Sequence, residues 1–301
     1  MSPSDSQGRR RSRPSVGASS RVVLLGVLAV FFGVPLIWLA IAPSKLHNEF
    51  VTLPALAFGE ASNYLRAWGH LVEFNDGQIL VWAWNSVWYT AAAMVIGLII
   101  SIPAGYALAT AEFRGRRVIL WLTLIALIVP ASALVLPLFL ELSLIGLVGS
   151  PWAVILPTAF FPFGVYLAYV FYATSIPRDL LAAGRVDGCS EWQLFRYVCL
   201  PISKTLIGLL TFLSFTANWN NYFLPFVMLN DDQTYTLAVG LQSLVTGTSM
   251  VSMSAIRGTS SVMKSPEGAL MGLLMVLPLT LVFIVSQRYV IRGALTGSIK
   301  E

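Results

Sequence analysis

The sequence is poor in the residues that enzymatic and metal chemistry draws on. Its 301 residues include two histidines, His47 and His70, and two cysteines, Cys189 and Cys199. The cysteines are ten residues apart, a spacing that matches no metal motif and implies neither a disulfide nor a thiol site. The histidines lie far from them, so a Cys/His metal site has no support. There is no G-x-x-x-x-G-K-[ST] phosphate loop, and no Ser/His/Asp set or pair of carboxylates clusters in the apolar segments. Charge is scarce as well. Asp, Glu, Lys and Arg make up 11% of the chain, against about 25% in soluble domains.

What is abundant is apolar surface, at 56% hydrophobic residues and a mean hydropathy of +0.76. That excludes a disordered chain and disfavours a soluble enzyme. A helix crosses ~30 Å of hydrocarbon with roughly 20 apolar residues. Charge-free windows of that length occur at 22–44, 77–111, 118–140, 142–177, 205–230, 233–256 and 268–287. The window 233–256 is crowded with Ser, Thr and Gln, and reads as an external loop or surface helix. Six spans remain.

Lys and Arg set the orientation. The N-terminal tail, the loop after the second span, the segment after the fourth and the C-terminal tail together hold 15 of them. The other side holds four: Lys45, Arg66, Arg257 and Lys264. The expected fold is therefore an all-α polytopic membrane protein with six transmembrane helices and both termini in the cytoplasm. The apolar run near the start is about 21 residues, longer than a signal-peptide core, and reads as a retained anchor. The resulting organisation is a disordered basic tail (1–20), a first transmembrane helix (21–44), an external loop (45–80), a core (81–290) and a cytoplasmic tail (291–301). The arginines of the tail are topological, with no nucleic-acid partner implied.

The five spans after the first hold no ionisable residue inside their windows. Ion- and proton-coupled transporters place such groups near the midplane, so a charged relay is disfavoured. Energy for uphill transport would have to come from a partner.

The segment 176–204 is the longest cytoplasmic connection and reads as two short helices. Pro177 suits a first helical turn, Asp179 to Asp187 can be helical, and Ala182, Ala183 and Gly184 give a small-residue face. Gly188 can end the helix in a left-handed conformation. Ser190 and Gln193 form an S-x-x-Q capping box for the second helix. Leu194, Phe195 and Val198 supply its apolar face, and Pro201 is expected to stop it. Such a pair suits docking into a groove, or packing on its own bundle at the membrane surface.

This segment resembles the EAA motif of binding-protein-dependent ABC import permeases, E-A-A-x-x-x-G, then nine residues, then an apolar residue, x and L-P. Gly188 matches the glycine, Arg185-Val186-Asp187 the residues before it, and Val198, Leu200 and Pro201 the end. The motif's acidic residue falls at Ala182, and its A-A at Ala183 and Gly184. Further matches run along the chain: Asn85-Ser86, Ala104–Ala109 with Phe113-Arg114-Gly115-Arg116, Trp219-Asn220 with Pro225, and Gln287-Arg288-Tyr289 through Lys300. The likeness is strongest to maltose-transporter-type sugar permeases. It implies a type I ABC importer permease fold in the bacterial inner membrane and an ATPase-coupling loop containing Ala182, Ala183, Gly184, Asp187, Gly188, Phe195, Leu200 and Pro201. The loss at Ala182 removes a salt bridge to the ATPase. The implied partners are a second homologous permease, two ATP-binding subunits that hold ATP and Mg, an extracytoplasmic substrate-binding protein and membrane lipid. No cofactor is implied in this chain, and it is not an enzyme.

Asn218, Asn220 and Asn221 fall within the fifth span, where amides need protein or water partners. They are candidates for lining a translocation path, with Trp219 and Tyr222 able to stack on a sugar face. Interhelical hydrogen bonding is the alternative. Pro130, Pro137, Pro157, Pro162 and Pro225 are expected to kink spans. A surface helix around Ala61–Trp68 could touch a binding protein or lie on the bilayer. The expected function is permeation of a sugar or oligosaccharide in an ATP-driven importer. The alternatives are the same machine for a glycerol phosphodiester or polyamine, and a stand-alone channel or secondary transporter.

Overall fold

The computed structural model describes residues 16–246 and 265–296. The basic tail before residue 16, the later part of the polar window 233–256 and Gly297–Lys300 lie outside the described residues. Among the described residues every regular element is a helix. In chain order these are α1 (Val16–Ile41), α2 (Ser62–Glu73), α3 (Gln78–Thr110), α4 (Arg116–Ile128), α5 (Ala131–Leu144), α6 (Trp152–Ala159), α7 (Pro162–Ser175) and α8 (Arg178–Val186). They continue with α9 (Glu191–Ile202), α10 (Lys204–Trp219), α11 (Phe223–Met228), α12 (Leu237–Thr246) and α13 (Ser265–Thr296).

By length and apolar composition four segments can cross a bilayer: α1, α3, the α6–α7 pair and α13. Two further pairs qualify if each is one broken span, α4–α5 bent by 106° and α9–α10 by 77°. With both counted, the six spans expected from the sequence are present. Their boundaries differ. The charge at Glu141 does not divide two spans, because α5 runs through it to Leu144 and Glu141 is exposed in its last turns. The break falls at Pro130, and Val129 before it is extended (ψ 122°), as a residue before proline prefers. The window 205–230 is interrupted after Trp219 and resumes as helix at Phe223.

The bundle is organised around α3. At 33 residues it is about 50 Å long, more than the hydrocarbon requires, and it packs against α6, α7, α10 and α12. Gly97, Ser101 and Gly105 recur every four residues and so share one face. Ser101 Oγ donates to Phe161 O at 3.2 Å, meeting the break between α6 and α7. A Cβ on Gly105 would lie 2.3 Å from Ala168 Cβ and 2.7 Å from Tyr169 N, so glycine is required for this approach. Small residues at helix contacts are how membrane helices gain packing without a hydrophobic drive.

Beyond α1 the segment 42–63 folds on Ser44. Its carbonyl accepts from Glu60 N (2.8 Å) and Asn63 Nδ2 (2.8 Å), and its Oγ accepts from Gly59 N at 2.8 Å. Lys45 is only 2% exposed, and its ammonium donates to Pro54 O and Ala55 O at 2.8 and 2.9 Å. The helix expected near Ala61–Trp68 is α2. It buries Asn63, Ala67 and Leu71 and turns Leu65 and Trp68 outward.

Because Gly105 meets backbone across the α3–α7 contact, Gly105→Ala should force the helices apart and destabilise by about 1–3 kcal/mol. The check is a lowered thermal unfolding midpoint in detergent, with Gly26→Ala, whose Cβ would meet nothing, as the neutral comparison.

Candidate functional site

The segment 176–204 forms two helices joined by a tight turn. Pro177 is the N-cap of α8, with extended ψ of 133°, so the helix begins one residue later than a first-turn proline implies. Its end is a Schellman motif: Cys189 N bonds Gly184 O at 3.0 Å and Gly188 N bonds Arg185 O at 3.1 Å, with Gly188 left-handed at φ +83°. Ser190 then caps α9 through a complete capping box. Its Oγ accepts from Gln193 N (3.3 Å) and its N donates to Gln193 Oε1 (2.8 Å). Pro201 does not stop this helix. Over Leu194–Cys199 the turn widens to i→i+5 spacing, with Leu200 N bonded to Phe195 O. The widened turn accommodates the proline ring, whose clash four residues back ends a regular helix, and the run reaches Ile202.

The two helices have distinct faces. Leu181, Phe195 and Cys199 are buried with Ile102, Tyr106, Ala168 and Tyr172, and Leu194 is buried as well. Gly184 belongs to the internal contact, since its Cβ would meet Leu194 Cδ2 at 2.4 Å. Phe195 therefore faces the chain's own core. Ala182, Ala183, Asp187, Gly188 and Pro201 are exposed and Leu200 is half-buried. Around them Val186 is 86% exposed, Tyr197 70% and Trp192 61%. One charged knot holds the loop together. Arg185 Nε donates to Glu191 Oε1 at 2.7 Å and its Nη2 to Oε2 at 3.3 Å. Tyr106 Oη on α3 donates to the same Oε2 at 3.3 Å. The Arg185 hydrogen bond holds the Glu191 carboxyl below the usual carboxylate range.

At its other end α3 carries a row of buried polar side chains, Gln78, Trp82, Asn85, Ser86 and Tyr89, at helical spacing. The row grips the backbone of 232–237. Gln78 Nε2 and Trp82 Nε1 both donate to Asp232 O at 2.7 Å. Asn85 Nδ2 donates to Gln233 O (2.8 Å) and Tyr235 O (3.0 Å), and Tyr89 Oη to Thr234 O at 2.9 Å. Ser86 Oγ accepts from Leu237 N at 2.7 Å. Burial, then the hydrogen bond to Asp231, raises the Asp232 carboxyl above its usual range.

Beside this clamp lies a narrow cleft lined by Ser86, Tyr89, Thr90, Val154, Thr158, Asn218, Trp219, Asn221, Pro225 and Thr236. Three of the five residues proposed for a path meet here: Asn218, Trp219 and Asn221. Asn218 Nδ2 donates back to Ser214 O at 2.8 Å. The Trp219 ring stacks on Phe215 with centroids 5.5 Å apart, and its Nε1 donates to Met275 O at 2.9 Å, so it also ties α10 to α13. Asn220 is exposed and donates to Thr216 O at 3.1 Å. Tyr222 stacks on Phe226 and does not line the cleft. The asparagines mark the interruption between α10 and α11, where backbone at membrane depth is tolerated because it borders a cavity. Sequence reasoning missed Thr90, Thr158 and Thr236. Their signal is faint, since a threonine in a span can bond its own helix, as Thr158 Oγ1 does to Val154 O at 2.7 Å. Among the described residues no three His, Cys, Asp or Glu side chains gather for a metal ion.

Several helices long and apolar enough to cross a bilayer, two of them broken pairs, are those of a multi-pass membrane protein. The chain belongs to the binding-protein-dependent transport system inner membrane component family, whose model matches residues 101–295. It is 33% identical over 223 residues to the arabinooligosaccharides transport system permease protein AraQ of Halalkalibacterium halodurans, covering 73% of this chain and 75% of that one. It is 28% identical over 297 residues to the lactose transport system permease protein LacG of Rhizobium radiobacter, covering 97% and 98%. A chain in the crystal structure of a bacterial ABC transporter involved in the import of the acidic polysaccharide alginate shares the fold. Its TM-score is 0.76 at 23% identity, over 96% of this chain and 99% of that chain.

Asn85→Ala would leave Gln233 O and Tyr235 O without this donor, at about 1–3 kcal/mol for each carbonyl stranded. The expected result is a lower unfolding midpoint together with faster proteolysis within 231–237, measured on the purified full chain.

Proposed function

We propose that this chain is the permease subunit of an ATP-driven, binding-protein-dependent importer, forming half of the path for a sugar or oligosaccharide. The observation that carries the coupling role is the division of labour in α8 and α9. Leu181, Phe195 and Cys199 fasten the loop to the bundle, while Ala182, Ala183, Val186, Asp187 and Gly188 are exposed. A small-residue surface flanked by the exposed apolar side chains of Val186, Trp192 and Tyr197 suits a cleft in an ATPase subunit. Two such subunits would bind ATP and Mg, and their closure would drive the bundle between inward- and outward-facing states. The second permease would supply the other half of the path, and a binding protein would deliver the ligand to the side bearing α2 and 232–237. Both termini then lie in the cytoplasm.

For the ligand, the cleft offers hydroxyls and amides from Ser86, Thr90, Thr158, Asn218, Asn221 and Thr236, and no charged side chain. Hydroxyl groups of a neutral sugar match such donors and acceptors. A glycerol phosphodiester or a polyamine would enter without a counter-charge, which is costly away from water. A stand-alone channel or ion-coupled transporter gives the exposed face of α8 no task.

Val186 is almost free of contact with its own chain, so Val186→Asp should leave folding intact and cut the ATPase recovered on affinity purification of the complex at least tenfold. Gly188→Arg, strained by its positive φ at about 1–2 kcal/mol, should act in the same direction. Unchanged ATPase recovery with Val186→Asp would remove the coupling role. For the path, Asn221→Leu should lower uptake of the sugar bound by the cognate binding protein at least fivefold while the ATPase still co-purifies.

A further inference from the structure

The exposed face of α8 accounts for docking, and any displacement of the loop must still be carried through the chain to the cleft. Glu191 stands where that transfer has to pass. It is the first residue of α9, one position after the capping serine, where a carboxylate also complements the helix dipole. Its two oxygens take three donors from two other helices, Arg185 Nε and Nη2 on α8 and Tyr106 Oη on α3. The carboxylate therefore joins both loop helices to the central helix at one point. Around the knot the contacts are aromatic. Tyr106 lies 5.1 Å from the Phe195 ring and 5.4 Å, edge-on, from the Tyr172 ring, and Tyr172 Oη and Ser203 Oγ are 2.9 Å apart.

From Tyr106, α3 runs unbroken to the clamp, although Pro103 lies inside it. The distance from Tyr106 back to Asn85 is about 30 Å at 1.5 Å per residue. There the polar row holds 232–237 by side-chain-to-backbone bonds, and Thr236 of that segment lines the cleft with Asn221. One helix thus carries the loop knot at one end and a wall of the cleft at the other. The π-widened turn of α9 adds to this picture. Such turns are rare and recur at functional sites, and this one, Leu194–Cys199, contains Phe195, which packs on Tyr106.

We propose that Glu191 is the positioning residue that gears the ATPase-facing loop to α3, so that loop displacement reaches the clamped 232–237 segment and the cleft. The inference rests on the permease reading above. It places in Glu191, through Arg185 and Tyr106, an internal ionic link on a loop whose outward motif position is Ala182.

The experiment uses the full chain in complex with its own ATPase subunits in proteoliposomes. It follows maleimide labelling of Asn221→Cys, in a Cys189→Ser background, with and without ATP and vanadate. In the otherwise unaltered protein, nucleotide trapping should change the labelling rate at least fivefold. Glu191→Ala and Tyr106→Phe should each keep ATP hydrolysis within twofold while the nucleotide-dependent change falls below twofold. The double variant should be no worse than either single one, because both changes break one link. A Glu191→Ala complex that hydrolyses ATP and still shows the full labelling change would overturn the proposal, as would effects of the two substitutions that multiply. A structural role alone would lower the unfolding midpoint and ATP hydrolysis together without separating hydrolysis from labelling, which also counts against it. Failure of the unaltered chain to co-purify with any ATPase would strike the permease–ATPase reading instead, and is distinguishable for that reason.

Discussion

Backbone hydrogen bonding within hydrocarbon is the constraint on which the architecture depends. An unpaired N–H or C=O costs several kcal/mol there, so any departure from helix must be met by other donors and acceptors. The same demand is met at the end of the bundle, where α-helix gives way over 229–236 to extended backbone and one 3-10 turn (Asp232–Thr234), by five side chains on one face of α3. Trp82, Asn85 and Tyr89 place their donors on three successive turns of helix and satisfy the carbonyls of 232–235. With that segment held, α12 starts at Leu237 under the grip of Ser86, and the cleft between α3, α6 and α10 has a fixed wall. The same rule explains Ser101 at the α6–α7 break and Lys45 at the carbonyls of Pro54 and Ala55 ahead of α2, each a polar group placed where a helix stops or a loop turns inward.

Much of the helix content was legible because hydrocarbon imposes it. Twenty charge-free residues have few alternatives: α3 falls inside the window 77–111, the window 268–287 lies wholly within α13, and most of the window 22–44 lies within α1. The loop 176–204 was readable for a different reason. Its signals are local, so Ser190, Gln193 and Gly188 act through neighbours within five residues and need no tertiary information. What the sequence concealed is long-range. Nothing near Gln78 or Trp82 says that their partners lie some 150 positions away, and a polar residue in a span reads alike whether it lines a path or holds a backbone. Asn85 and Ser86 were visible as a pair, but their task emerges only when 232–237 is brought against them. Trp219, a candidate both for stacking on a sugar and for holding helices together, lines the cleft while its ring stacks on Phe215 and its N–H donates to Met275. Pro201 misled in the opposite sense, because a local rule about regular helices fails where the turn has widened.

The two ends of α3 obey different chemistry. At the clamp it binds backbone, through neutral donors that lose nothing to pH or salt. At Tyr106 it meets a charged knot, accessible to water, in which two helices share one carboxylate. A fixed attachment at one end and a remakeable one at the other is an arrangement for moving one element against another while the opposite wall stays ordered. The small-residue row between them, Gly97, Ser101 and Gly105, keeps α3 in register with α6 and α7.

Among the four unbroken spans the first is the least enclosed: none of its best apolar window is buried within the chain. Selection on α1 therefore acts on hydropathy and length, and scarcely on the shape of individual side chains, at least as far as this chain's own packing is concerned. Its residues 22–37 should drift freely among Leu, Val, Ile and Phe between related proteins, whereas Ser44 and Lys45, a few residues later, answer to specific carbonyl and amide geometry. The change falls where the apolar run ends and the chain begins to fold on itself, between the largely exposed residues 22–37 and the buried Ser44 and Lys45.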